Sequence, residues 1–119
     1  MAHARPIVHF EIHGKDAKAL QDFYATLFDW QIDANNPMNY GLVSPGVGGP
    51  AEGVGGGITS SPTAPFVTVY VQVVSIDDTL KQVEQMGGKT VMPAMDVPGG
   101  PTVGMFSDPE GNVVGLVKQ

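Results

Sequence analysis

Hydrophobic and polar residues alternate along two separated stretches of the chain, and a helical spacing of hydrophobic residues follows each of them. In residues 6–13, one face carries Val8, Phe10 and Ile12, and the other carries Ile7, His9, Glu11 and His13. This alternation predicts a half-buried strand. Over residues 15–28, Leu20, Phe23 and Leu27 recur at helical spacing with Tyr24 beside them, which predicts an amphipathic helix with Asp16 as its N-cap.

The second stretch repeats this order. Residues 66–74 alternate between a hydrophobic set and a polar set, namely Val67, Val69, Val71 and Val73 against Thr68, Tyr70 and Gln72. Ser75 then has the character of an N-cap, and Gly87-Gly88 that of a helix end, so a helix is predicted between them. The chain therefore contains two strand–helix pairs in succession.

Short strands are predicted after each helix, at residues 30–32, 40–44 and 54–59 and again at 89–92, 102–107 and 113–117. We expect residues 1–119 to form one domain of two similar modules. Module one spans about 6–59, a proline-containing linker about 60–65, and module two about 66–117. Superposing the helix ends shifts the numbering by about 58 residues and places Gly57 on Gly115.

The composition of the chain argues against several classes of function. The 119 residues include no cysteine, which excludes disulfides, thiolate metal ligands and a cysteine nucleophile. A formal net charge of −6 with six Lys and Arg residues argues against nucleic acid and anionic membranes as partners. No run of about 18 apolar residues and no secretory signal is evident, so a cytoplasmic location is expected.

Three motifs in this order resemble the glyoxalase, bleomycin-resistance and extradiol-dioxygenase (vicinal-oxygen-chelate) superfamily over residues 6–117. They are Val8 to Ile12 leading into Asp22 to Trp30, then Gln85 to Lys89, then Ser107 to Asn112. The resemblance implies an α+β fold of two βαβββ modules, whose mixed sheet curls into a trough with the helices on its outer face. It fixes no single reaction, because the family includes isomerases, lyases, dioxygenases, epimerases and drug-sequestering proteins.

The resemblance also implies four metal-ligand positions, which fall on His9, Gly57, Thr68 and Gly115. Glycine has no side chain to donate and a threonine hydroxyl is a poor substitute for imidazole, so we expect no metal and no other cofactor. A different metal set could use two of His9, Glu11 and His13, which share one strand face but are too far apart for all three to converge. It would need a third donor, and the candidates lie in predicted loops. The candidates are Glu52, Asp96 and Asp108.

We therefore expect a metal-free protein that binds a small hydrophobic molecule in the trough. The expected contacts are His9, Glu11, Thr68, Tyr70 and Gln72. The alternative is a lyase, isomerase or oxygenase that uses His9 and Glu11 as an acid–base pair, or a non-standard divalent metal. A third possibility is a non-catalytic module that pairs with another chain. The resemblance also implies a homodimer.

Overall fold

The computed structural model describes residues 4–44 and 53–119. Within these residues the chain forms the following eight strands and two helices: β1 Ile7–Gly14, α1 Ala17–Phe28, β2 Ile32–Asp33, β3 Gly41–Val43, β4 Gly56–Ser60, β5 Phe66–Val73, α2 Ile76–Gln85, β6 Lys89–Asp96, β7 Thr102–Ser107 and β8 Val113–Lys118. The α+β class and the two βαβββ modules are confirmed. Neither helix is long and apolar enough to cross a membrane, in the part of the chain described.

The chain divides into two compact units. The first unit is His9–Val67, and the second joins Thr68–Gln119 to residues 4–8. The start of β1 belongs with the second unit, where the carbonyl of Pro6 accepts a hydrogen bond from the Gln72 backbone N–H at 2.9 Å.

The first unit has the strand order β2-β3-β4-β1, in which β1 runs parallel to β4 and the other neighbours are antiparallel. Alternation along β1 directs Phe10 and Ile12 into the core and leaves His9, Glu11 and His13 on the opposite face. The core is formed by Ile12, Val43 and Ile58, with Phe10, Leu20, Tyr24, Trp30 and Ile32 packed against them.

The second unit repeats this arrangement with the order β5-β8-β7-β6, where β5 runs parallel to β8. Its core consists of Val73, Ile76, Leu80 and Leu116, with Val71 and Phe106 packed against them. Of the predicted hydrophobic face of β5, Val71 and Val73 therefore pack in the core with α2, whereas Val67 is 68% exposed.

Both predicted N-caps are confirmed. The Asp16 carboxylate accepts a hydrogen bond from the Ala19 backbone N–H at 3.1 Å, and the Ser75 hydroxyl accepts one from Asp78 N–H at 3.1 Å. These bonds satisfy backbone donors that the first helical turn leaves unpaired. Helix α2 ends before Gly87, whose φ of +93° suits glycine.

Three predicted element details are wrong. Strand β6 continues to Asp96 instead of ending at Met92, because it stays paired with β7 through two register shifts. Asp96 therefore lies in a strand and not in a loop. Strand β2 begins at Ile32 instead of Trp30, since the Trp30 ring packs against Phe10 with ring centroids 5.4 Å apart.

The third difference concerns α1. The predicted hydrophobic stripe is split: Leu20 packs on the core, whereas Phe23 and Leu27 are each 57% exposed. Tyr24, which the pattern placed beside that stripe, packs on the core together with Leu20, and the buried Gln21 faces the sheet as well. The helical period was predicted correctly, and the face that packs was predicted in part.

Candidate functional site

The polar face of β1 carries a connected chain of side chains. Tyr40 donates its hydroxyl proton to Glu11 Oε2 at 2.6 Å, and the Tyr40 hydroxyl oxygen itself lies 2.8 Å from His9 Nε2. On its other side, Glu11 Oε1 lies 2.5 Å from His13 Nε2. The order of the chain is thus His9–Tyr40–Glu11–His13, and Tyr40 separates the two residues that the sequence proposed as an acid–base pair.

The direction of the Tyr40 hydroxyl proton determines which ring nitrogen of His9 carries a proton. Because the single hydroxyl proton goes to Glu11, the phenol oxygen is an acceptor toward His9, and His9 Nε2 must be the donor. Burial lowers the pKa of His9 below its ordinary value of 6.5, and the charge of Glu11 opposes part of that change. A neutral imidazole with its proton on Nε2 has its lone pair on Nδ1.

Glycine at position 57 makes room for the Tyr40 ring. Glu11 and Gly57 are direct neighbours across the parallel β1–β4 pair. A Cβ atom on Gly57 would overlap ring atoms of Tyr40, including Cζ and Oη. The hydroxyl reaches Glu11 because the ring lies directly against the β4 backbone. Sequence reasoning missed Tyr40, since nothing in its local pattern indicates which strand glycine it covers.

The second unit shows the same relation between a tyrosine and a strand glycine. Tyr70 and Gly115 are neighbours across the parallel β5–β8 pair, and a Cβ on Gly115 would lie 2.5 Å from Tyr70 Cδ2. The registers make Tyr70 the counterpart of Glu11, and Thr68 the counterpart of His9. Thr68 is buried and donates its hydroxyl to the Val113 carbonyl at 2.7 Å, and the half-buried Gln72 is the counterpart of His13.

The residues at the implied metal positions do not fit a metal. The two glycines, Gly57 and Gly115, are each covered by a tyrosine ring, and the Thr68 hydroxyl is held by a backbone carbonyl. Across residues 4–44 and 53–119, no three His, Asp or Glu side chains are grouped so that they could hold an ion. Of the proposed alternative donors, Asp96 ends β6, and Glu52 lies outside the described residues.

The third alternative donor, Asp108, is engaged in its own turn. Its carboxylate accepts hydrogen bonds from the backbone N–H groups of Glu110 and Asn112, and from the Asn112 amide at 2.8 Å. These bonds lower the pKa of Asp108, and the hydrogen bond from the Asn112 side chain has the largest effect. The residue is therefore explained by the tight reversal between β7 and β8.

A cavity of about 570 Å³ opens at the end of β1 within the first unit. Most of its lining is apolar and aromatic, and it includes Leu20, Phe23, Tyr24 and Phe66. His13 lines it as well, stacked on Phe66 with centroids 4.1 Å apart and planes 8° apart. His13 therefore contributes to both the polar chain and an apolar cavity whose size suits a small molecule.

Comparison with known proteins identifies the family. The model of the Glyoxalase/Bleomycin resistance protein/Dioxygenase superfamily matches residues 6–116. The chain therefore belongs to this superfamily, as the sequence motifs indicated. No curated protein sequence matches the chain.

Solved structures share its fold at low sequence identity. A superfamily member from Vibrio splendidus 12B01 is 13% identical with a TM-score of 0.64, over 98% of this chain and 100% of that one. Methylmalonyl-CoA epimerase from Mycobacterium tuberculosis is 13% identical with a TM-score of 0.63, over 94% and 86%. The Mn(II)-bound glyoxalase from Novosphingobium aromaticivorans is 16% identical with a TM-score of 0.61, over 97% and 40%.

Proposed function

We propose that the protein binds a small hydrophobic molecule at the β1 face of His9 and Glu11, without the metal centre typical of metal-dependent relatives. The observation that carries this proposal is the Tyr40 ring against Gly57. A metal-ligating residue at this β4 position would have to place its side chain in the space that the phenol ring fills. The metal-free proposal therefore rests on the Tyr40 ring as well as on the glycine itself.

The hydrogen bonds of Glu11 support the same proposal. Its carboxylate is 6% exposed, and a buried carboxylate without partners would be strongly destabilising. Here one oxygen accepts from Tyr40 and the other is bound to His13. Both oxygens are thus satisfied by side chains of the chain itself, and no cation is needed to stabilise them.

The hydrophobic character of the ligand is inferred from the cavity beside His13. Volumes of roughly 300–1,000 Å³ with apolar walls and a few polar groups are typical of small-molecule sites, and the cavity of about 570 Å³ falls in this range. In the second unit, Thr68, Tyr70 and Gln72 remain our proposed ligand contacts.

The proposal is tested by metal analysis combined with ligand binding. Protein purified without chelator or affinity tag is analysed for zinc, nickel, iron and manganese by plasma mass spectrometry. We expect amounts far below one metal per chain, together with saturable binding of the fluorescent dye anilinonaphthalene sulfonate. Stoichiometric metal would overturn the metal-free proposal, and a lack of saturable dye binding would overturn the binding function.

Variants locate the bound dye. We expect His9→Ala and Phe66→Ala to weaken dye binding, because His9 lies on the β1 face and Phe66 lines the cavity that His13 shares with that face. Val91→Ala in β6 is the control, since Val91 is 52% exposed and does not line this cavity. Equal weakening by all three variants would mean that the dye does not report this site.

The hydrogen-bonded chain supports one alternative, an enzyme that transfers a proton. Tyr40 connects His9 to Glu11 by hydrogen bonds. If His9 removed a proton from a substrate, these bonds would link its imidazole to the Glu11 carboxylate. Tyr40→Phe removes the hydroxyl and keeps the ring. If the protein is an enzyme, turnover falls about 10²-fold or more while binding persists. For a binding protein, no turnover exists to be lost.

We also propose that the protein forms a homodimer through the outer surface of α1. Phe23 and Leu27 are each 57% exposed and lie one helical turn apart, so they form a hydrophobic pair on one side of the helix. A two-fold axis beside this pair would pack it against the same pair of a second copy, so a second copy fits the surface.

A further inference from the structure

The carboxamide of Asn36 binds both backbone groups of Tyr40. Asn36 Nδ2 donates to the Tyr40 carbonyl at 2.7 Å, and the Tyr40 N–H donates to Asn36 Oδ1 at 2.9 Å. Tyr40 lies just before β3, outside the strand ladder. An asparagine side chain has one donor group and one acceptor in the same plane, as a peptide group does. Asn36 therefore takes the place of a neighbouring strand for this one residue.

The turn between Asn36 and Tyr40 is bent by an unusual backbone conformation. Asn39 has a φ of +52°, in the left-handed region that asparagine tolerates better than most residues. Its N–H donates to the Asn36 carbonyl at 3.0 Å. The bend and the two carboxamide bonds together fix the direction in which the Tyr40 side chain leaves the backbone.

A second amide ties this turn to the strand that Tyr40 covers. Gln21 is buried in α1, and its Nε2 donates to the Ile58 carbonyl at 2.9 Å and to the Asn39 carbonyl at 3.5 Å. Ile58 follows Gly57, and Asn39 precedes Tyr40. Gly41 makes room for this contact, since a Cβ there would lie 2.7 Å from Gln21 Nε2.

We propose that Asn36 and Gln21 are positioning residues, which hold Tyr40 against Gly57 and thereby fix the hydroxyl that joins His9 to Glu11. Neither residue contacts His9 or Glu11 in the bonds described, so each acts through Tyr40. Two residues, one on α1 and one in the β2–β3 connection, thus control the polar face of β1 on which the proposed function depends. It rests on the proposed face but is tested without any ligand.

The test measures the titration of His9 by NMR in the full chain. Asn36→Ala frees the Tyr40 backbone, so water reaches His9 and its pKa should rise toward the ordinary value of 6.5. Asn35→Ala is the matched control, because Asn35 is exposed and donates only its backbone N–H to Asp33, a bond that alanine retains. The same spectra report His13 separately.

A second background separates positioning from a general structural effect. In Tyr40→Ala protein there is no phenol to hold, so adding Asn36→Ala should leave the His9 titration unchanged. A folded Asn36→Ala protein that titrates like Asn35→Ala overturns the inference. An equal shift with and without Tyr40 does so as well. If Tyr40→Ala does not fold, the contrast between the Asn36 and Asn35 variants decides.

The His9 titration tests the positioning role and the dye experiment tests the binding function, so either result can be negative without the other. A shift in His9 that requires Asn36 and Tyr40 supports the positioning role even if no dye binds, and the proposed binding function alone is then lost. We expect Gln21→Leu, which keeps the volume and removes the amide, to shift His9 in the same direction as Asn36→Ala. No shift in a folded Gln21→Leu protein would remove Gln21 from the inference.

Discussion

Glu11 is the residue on which the polar face of β1 depends most. It is 6% exposed, and its two oxygens are hydrogen bonded to Tyr40 and His13. A carboxylate buried to this degree is tolerated because charge-assisted hydrogen bonds replace those to water. The Tyr40 hydroxyl links His9 to this group. A change at any member of the chain therefore alters the surroundings of His9.

We predict that His9 makes the protein less stable in mild acid. Burial lowers the pKa of folded His9 below 6.5, so at a pH between the two values the unfolded chain binds the extra proton. This contribution to stability is complete above pH 6.5 and is lost as the pH falls through the lowered pKa. Urea unfolding at about pH 7.5 and about pH 5.5 should show a larger acid loss for wild type than for His9→Gln.

That comparison has a clear contrary result. The two proteins share every other titratable group, so only the difference between wild type and His9→Gln is assigned to His9. Equal acid losses in the two proteins would mean that protonated His9 is accommodated as well in the folded chain as in water.

Strand β4 provides the surface on which Tyr40 lies, and one methyl group is enough to disturb it. We predict that Gly57→Ala lowers the free energy of unfolding by about 1–3 kcal/mol, because the Cβ would displace the Tyr40 ring. In Tyr40→Ala protein the same substitution should cost much less. Urea unfolding of the four proteins gives the coupling directly. Equal costs in both backgrounds would show that the clash is not with Tyr40.

How well each helix or strand could be predicted depends on whether the residues that determine it are neighbours in the sequence. The alternation in β1 and β5 and the capping residues Asp16 and Ser75 were predicted correctly, because each follows from neighbours in sequence. The packing face of α1 was predicted only in part, since the helix presents hydrophobic residues around much of its circumference. Only the sheet beneath it decides that Leu20 and Tyr24 pack on the core whereas Phe23 is 57% exposed.

The candidate site was predicted in part for the same reason. His9 and Glu11 were found because alternation places them on one face of β1. Tyr40 could not be found, because its role depends on the left-handed turn at Asn39 and on the pairing of Glu11 with Gly57. Both are consequences of tertiary structure. The glycines at the implied metal positions were visible in the sequence, but the tyrosines that cover them were not.

At the level of the whole protein, the exposed surface of α1 gives a prediction about assembly. We expect wild type to elute as a dimer in size-exclusion chromatography with light scattering, and Leu27→Glu, at an exposed position outside the cavity lining, to weaken the dimer at least about tenfold. Met86→Glu is the control, since Met86 is 69% exposed at the end of α2. A monomeric wild type, or a dimer unaffected by Leu27→Glu, would contradict the proposed interface.

The parallel pairing of the first and last strand in each half also has a kinetic consequence. Phe10 pairs with Gly56, and Tyr70 pairs with Gly115, so each ladder joins residues more than forty positions apart. Such a pairing must close a long loop before it gains any stabilisation, which slows folding. During synthesis, β1 remains without its β4 partner until Ser60 has left the ribosome. We therefore expect the pairing of the last strand to be a late, slow step in the folding of each half.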